Sequence, residues 1–267
     1  MEEKCFYDVS NLKKYDKCEY PNFFARFYDL IYSNIDIGIE KDMYLNKISS
    51  IKGKILEAGV GTGRLFAEAL KRGADIYGVD ISPAMIDVLR DKLDDKYHNR
   101  VIVKDVRDMN LGVKFDLIIA PFRVFAHFLE VEDQLRALNC IYEHLNTGGI
   151  FMFDVFVPDL NLLLNGMQQF VDFEGEYEPG KKIRRISTTE NDLIKQITNY
   201  HARFEWEEES EWKYGEWDVK LRYFFRYELE NLISLSPFSL KGIYGDLEGK
   251  PLTKDSKNFI IECKKDF

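Results

Sequence analysis

Glu57-Ala58-Gly59-Val60-Gly61-Thr62-Gly63 leaves one apolar run, 54–58, and opens a helical stretch, 64–71. Glycines at every second position let the backbone turn tightly and let a ligand touch the main chain, since a side chain at any of them would fill the ligand's volume. A loop of this kind at the carboxyl end of a first strand is where open α/β sheets bind ligands. Dinucleotide binding is one reading of these residues, but its G-x-G-x-x-G/A fingerprint requires a small residue where Arg64 stands. That side chain obstructs the close helix-strand packing on which the fingerprint relies. A structural turn without a ligand is the other reading.

Outward from the loop, short apolar runs alternate with amphipathic helical stretches from 54 to 157, the signature of parallel strands joined by crossover helices. Strands are expected at 75–79, 101–104, 115–120 and 150–157. Ser82-Pro83 supplies an N-cap and a first-turn proline for a helix to about 93, and a second helix, 132–145, stops before Gly148-Gly149. Ahead of the core, 22–32 carries Phe23, Phe24, Phe27, Leu30 and Ile31 at helical spacing.

The pattern changes near Pro158. From 219 to 227 the chain alternates, placing Val219, Leu221, Tyr223, Phe225 and Tyr227 on one strand face. Partner strands are expected at 193–206 and, across a turn at 190–192, at 183–188, so 173–227 reads as an antiparallel insertion. A helix at 228–234 and strands at 239–244 and 258–263, split by a turn at 246–251, return to the main sheet. The regions are thus a helical cap (1–50), a core (51–172), a lid (173–227) and a return to the core sheet (228–267).

With 45% hydrophobic and 31% charged residues the chain is globular rather than disordered. Its 37 Lys and Arg against 46 Asp and Glu give a net charge of −9, which argues against broad attraction to nucleic acid or anionic lipid. No apolar run approaches a membrane span. The charged opening, Met1-Glu2-Glu3-Lys4, leads into no apolar segment, so a cytoplasmic location is expected. Cys5, Cys18, Cys140 and Cys263 form no C-x-x-C and no group with the histidines, so neither a zinc site nor a disulfide framework is expected.

Two acids follow the loop at strand ends. Asp80 closes the second strand, where a carboxylate accepts both hydroxyls of a ribose, whatever the nucleoside. Asp105 follows the third, where it would accept from an adenine amino group or simply cap the strand.

In their order, these residues resemble the class I S-adenosylmethionine (SAM)-dependent methyltransferases over about 51–157, in particular small-molecule types with an antiparallel lid insertion. The resemblance implies an α/β fold, a doubly wound, mostly parallel seven-stranded sheet of Rossmann-like kind with a small antiparallel β lid, whose last strand runs antiparallel. It implies that Glu57, Ala58, Gly59, Gly61 and Gly63 form the cofactor loop and that Asp80 binds the ribose. Ile81 and Met85 would pack on the adenine, with Asp105 and Val106 at its edge. The methionine tail would lie between Ala58-Gly59 and Ala120. No metal is implied, and the product is S-adenosylhomocysteine (SAH).

A sulfonium favours aromatic faces over Lys or Arg. Tyr20, Tyr28 and Tyr32 ahead of the core, with Phe122 and Phe125 after the fourth strand, offer such faces, or they pack the core. The loop 120–128 lacks the Asp/Asn-Pro-Pro-aromatic tetrapeptide of related enzymes acting on exocyclic or amide amines, which counts against DNA adenine or protein glutamine as substrate. His127, with an ordinary pKa of about 6.5, would accept a proton from the acceptor or serve as scaffold. Arg123 would bind an acceptor carboxylate or phosphate, or pair with a lid residue. The acidic run 205–212 favours a cationic acceptor, or is a solvated hairpin tip. The expected function is methyl transfer from SAM to nitrogen or oxygen of a small molecule, by a monomer or homodimer, with no nucleic acid or membrane partner. The alternatives are a SAM- or nucleoside-binding protein without turnover and an RNA or protein methyltransferase.

Overall fold

The computed structural model describes residues 20–33, 38–246 and 248–266; the charged opening, Cys5 and Cys18 lie outside the described residues. In chain order, α1 (Asn22–Ser33) and α2 (Gly38–Ser50) precede β1 (Lys54–Ala58), α3 (Phe66–Lys71), β2 (Asp75–Asp80), α4 (Pro83–Arg90), β3 (Val101–Val103) and β4 (Phe115–Ala120). Then come α5 (Val131–His144), β5 (Leu145–Phe156), α6 (Leu160–Asn165) and four long strands: β6 (Met167–Glu178), β7 (Lys181–Asp192), β8 (Ile197–Glu208) and β9 (Glu211–Arg222). The chain finishes with α7 (Arg226–Leu235), β10 (Ser239–Tyr244) and β11 (Asn258–Lys264).

Seven strands form one sheet in the order β10-β11-β5-β4-β1-β2-β3. Pairings from β3 to β5 are parallel, and β11 runs antiparallel to both β5 and β10. The strands at the centre are apolar because helices cover both faces. One face packs Leu56, Ile118, Phe151 and Phe153 under α5 and α7. The other packs Ile55, Ile76, Leu117 and Ile119 under α2, α3 and α4. Ser82 caps α4, its Oγ accepting from the Met85 N–H at 3.3 Å ahead of Pro83. Gly148-Gly149, ahead of the strand expected at 150–157, lies inside β5 and interrupts its pairing. Phe115 pairs with Leu145 but Leu117 pairs with Ile150, and the Gly148 N–H turns to the Lys265 carbonyl at 2.7 Å.

The second sheet is antiparallel, in the order β6-β7-β8-β9. It differs from the sequence expectation in three places. β6 is an additional edge strand whose one buried side chain, Phe173, leaves little alternation to detect. The turn expected at 190–192 is strand, and the chain reverses over 193–196, where Leu193 and Ile194 are exposed. β9 ends at Arg222 instead of running to Tyr227. Arg222 is ion-paired with Glu228 at 2.9 Å, and the Glu228 carboxylate also accepts from the Phe225 N–H, which starts α7 and puts Tyr227 in that helix.

α1 joins the two sheets. Its buried face, Phe24, Ala25, Phe27 and Ile31, packs against Phe204, Trp206 and Trp217 of the antiparallel sheet and against Met85 of α4. Phe24 and Trp217 lie 4.2 Å apart between ring centroids. The aromatic residues at 23–31 are thus consumed mainly in fastening a roof to the core.

Candidate active site

A cavity opens at the carboxyl ends of β1, β2 and β3, walled by the glycine loop, Asp80, Ile81, Met85 and 104–107. Gly59 and Gly61 sit at φ 72° and 54°, the left-handed region that side chains disfavour. A Cβ at Gly59 would come within 2.3 Å of the Val124 side chain, whereas one at Gly61 would meet nothing within 4 Å. The loop is held from behind by the Gly59 and Val60 N–H groups, which donate to the Val79 carbonyl at 2.8 and 2.9 Å.

Asp80 secures the same loop from the side. Its Oδ2 accepts from the Gly61 N–H and its Oδ1 from the Ser82 N–H, both at 2.8 Å. Burial raises its carboxyl against these backbone donors. Glu57 is 1% exposed, its Oε2 has no partner, and burial raises its carboxyl well above the ordinary range, with Arg64 opposing. Across the loop, Thr62 Oγ1 donates to Asp29 of α1 at 2.6 Å, and Lys92 joins Asp29 to the Thr62 carbonyl.

Asp105 is gripped by Arg107, whose Nε and Nη2 reach its oxygens at 3.0 and 2.7 Å while Nη1 pairs with Asp133 at 2.9 Å. Val106 is buried beside it and lines the cavity.

A second cavity lies between the rim and the antiparallel sheet. Tyr20, Tyr28, Arg64, Phe122 and His127 line both cavities. Arg64 stands out among them: its guanidinium lies 4.5 Å from the Phe122 ring centroid, 5.3 Å from Tyr28 and 5.4 Å from Tyr32. Since α3 begins only at Phe66, Arg64 swings toward the cavities and does not obstruct helix-strand packing.

The loop after β4 holds two consecutive left-handed residues, Phe122 (φ 58°) and Arg123 (φ 67°). Asp154, 1% exposed on β5, pins them, accepting from the Phe122 N–H at 2.8 Å, the Arg123 N–H at 3.2 Å and the Tyr44 hydroxyl at 2.6 Å. The Arg123 side chain lines the second cavity and donates to Asn258 Oδ1 of β11 at 3.2 Å.

His127 follows in a short helical turn. Its Nε2 lies 3.3 Å from the Tyr20 hydroxyl, and its buried Nδ1 has no partner. Burial pushes its pKa down from 6.5 to about 4. The folded chain therefore keeps this ring neutral where the unfolded chain protonates. The contribution is complete above pH 6.5 and is lost as pH falls toward 4, with an upper bound of about 1.4 kcal/mol per pH unit because part of the ring faces the cavities. His127→Gln is expected to flatten that acid slope. Denaturant unfolding of both proteins at pH 7 and pH 5 checks it, and equal losses would refute it.

Of the residues expected at the cofactor, Tyr28, Glu57, Gly59, Gly61, Asp80, Ile81, Met85, Asp105 and Val106 line the first cavity. Ala58 and Ala120 do not, because their side chains pack into the sheet core. Gly63 does not either: it lies against Leu89, which a Cβ would approach to 2.1 Å. Tyr32 lines the second cavity only. The acidic run 205–212 lies at the β8–β9 hairpin, where Glu205 pairs with Arg184 and Arg203, and Glu208 with Arg26. Arg185, absent from the residues expected at the site, shares the buried face of β7 with Ile183 and Ser187. An arginine in phase with buried neighbours was the available signal.

Residues 55–149 match the family model described as a methyltransferase domain. A malonyl-[acyl-carrier protein] O-methyltransferase of Ilyobacter polytropus is 33% identical over 162 residues, 55% of this chain and 59% of that protein, so the chain spans about three fifths of this relative. The CcbJ methyltransferase of Streptomyces caelestis superposes with a TM-score of 0.73 at 20% identity, covering 94% of this chain and 99% of its own. The sugar N-methyltransferase KedS8 of a Streptoalloteichus species gives 0.71 at 18% identity, covering 96% and 97%. Both likenesses carry the fold. Among the described residues no helix is long and apolar enough to cross a membrane.

Proposed function

We propose, from the premise that residues 55–149 are a methyltransferase domain of the class I, SAM-dependent type, that this chain transfers a methyl group from SAM to nitrogen or oxygen of a small molecule. The observation that carries the reading is two cavities with a common wall, one bounded by a glycine loop and two strand-end acids, the other by the antiparallel sheet.

The first cavity suits SAM. Open space beyond Gly61 admits a ligand against bare main chain, and the orphaned Glu57 Oε2 calls for a donor such as an α-amino group. Asp80 would take the ribose hydroxyls, Ile81 and Met85 the adenine faces, and Asp105 with the Val106 N–H the adenine edge. Arg64 is placed for the carboxylate beside that amino group. When bound, SAM supplies a methyl group activated on a sulfonium. The chain's part is alignment and exclusion of water. Tyr28 and Phe122, on the common wall, would shield the reacting centre with aromatic faces. Neutral His127 would accept a hydrogen bond from the acceptor, a task that needs no deprotonation near neutral pH.

Calorimetric titration with SAM and SAH, followed by detection of SAH release against amine and hydroxyl acceptors, tests the reading. Binding with turnover is expected. Binding without turnover on any acceptor would favour a carrier of the nucleoside, and absence of binding would end the assignment. Asp80→Ala is expected to weaken SAH ten- to a hundred-fold, about 1.4 to 2.8 kcal/mol, through lost charge-assisted bonds to ribose and a released Gly61 N–H. Unchanged affinity in the same titration would remove Asp80 from the site.

A further inference from the structure

We infer that the second cavity receives an acceptor with a flat apolar body and an anionic group, a carboxylate or phosphate, taken up by Arg185. The inference deepens the methyltransferase reading and rests on it.

Charge is the first observation. The chain carries −9 overall, yet the described residues that line this cavity include Arg64, Arg123 and Arg185 beside the acid Asp172. The second is how that acid is used. Asp172 already accepts from Arg185 Nε at 2.8 Å, the Ser187 hydroxyl at 2.6 Å and the Tyr200 hydroxyl at 3.3 Å. Arg185, 3% exposed, is not correspondingly satisfied, because its Nη1 is buried without a partner. A buried donor left unmade is costly, and more so where the group is charged, so an anion that accepts from it recovers a cost already present in the fold. Third, the remaining wall is aromatic: Tyr20, Phe24, Tyr28 and Trp217 present rings, which fit a flat body better than a polyhydroxylated one.

A cationic acceptor would meet like charge in a partly desolvated space, where repulsion is stronger than in water. The acidic run at 205–212 offers it no relief, since Glu205 and Glu208 are paired with arginines at the far hairpin. Arg64, common to both cavities, is placed for the cofactor carboxylate, and the orphaned Nη1 of Arg185 is placed for the acceptor.

The test titrates four probes of one body into the full chain saturated with SAH: phenyl phosphate, phenylacetate, phenylacetamide and 2-phenylethylamine. Either anion is expected to bind about ten-fold or more tighter than the amide and the amine, the expected scale for a charge-assisted pair, and the tighter of the two identifies the anion. Arg185→Gln is expected to bring the anions within about three-fold of the amide while SAH affinity stays the same, with Arg185→Lys retaining part of the preference. Equal or tighter binding of the amide or amine, no binding by any probe, or an undiminished preference in folded Arg185→Gln would overturn the inference. If Arg185→Gln fails to fold, the wild-type ranking still decides. Failure to bind SAH at the outset would instead remove the underlying reading, so the two failures are distinct.

Discussion

Gly61→Val is expected to abolish SAH binding while leaving a folded chain. The backbone at Gly61 has φ 54°, which a β-branched residue tolerates at a cost of about 1–2 kcal/mol. A Cβ there meets no atom within 4 Å, so the chain itself does not clash with the new side chain. The valine methyls would enter the space beside the loop that the cofactor is proposed to take. The expected loss is at least a hundred-fold in affinity, about 2.8 kcal/mol or more, against a stability loss within the strain cost alone. Calorimetry and denaturant unfolding on the same preparation separate the two effects. A variant that binds SAH within ten-fold of wild type would defeat the loop assignment. Gly59→Ala and Gly63→Ala are poorer probes, since their Cβ atoms would press into Val124 and Leu89 and disturb the fold directly.

Asp154→Ala is expected to be the most destabilising single change near the site, by about 3–5 kcal/mol. The carboxylate is buried and accepts from Tyr44, Phe122 and Arg123, tying α2, the β4 loop and β5 together. Without it these three donors lose the carboxylate as acceptor, and Phe122 and Arg123 lose a restraint on their disfavoured conformation. Asp154→Asn, which keeps the shape and one carbonyl oxygen, is expected to lose less. Urea unfolding measures both, and a loss under about 1 kcal/mol in the alanine variant would show that the loop is held by other contacts. Turnover should fall more than the unfolded fraction accounts for, because Phe122 belongs to the wall between the cavities.

The parts of this protein that can be read from its sequence are those where one physical demand dominates. β1 and β4 are enclosed on both faces and stand out as apolar runs, so their observed limits, Lys54–Ala58 and Phe115–Ala120, match the expected ones. The glycine loop declares itself because its left-handed backbone at Gly59, Gly61 and Gly63 favours glycine over residues with a side chain. β6 does not, since an exposed edge strand needs little apolar patterning. The end of β9 is not legible because the alternation continues through Phe225 and Tyr227, whereas the chain turns into α7 beside the Arg222–Glu228 ion pair. Arg64 was judged by a neighbour in sequence rather than by where α3 begins. Arg185 acquires its meaning only from what β8, β9 and α1 bring across from it, and such long-range placement leaves no local trace.

The insertion between Val157 and Tyr223 furnishes Arg185, Tyr200 and Trp217, whereas the glycine loop, Asp80 and Asp105 belong to the larger sheet. Among the described residues, the hydrogen bonds at Asp80 and Asp105 and those around Arg185 and Asp172 have no residue in common. Exchange of residues in the hairpins can therefore retune the second cavity while the bracing of the glycine loop stays intact, in the manner of a chassis with a replaceable tool head.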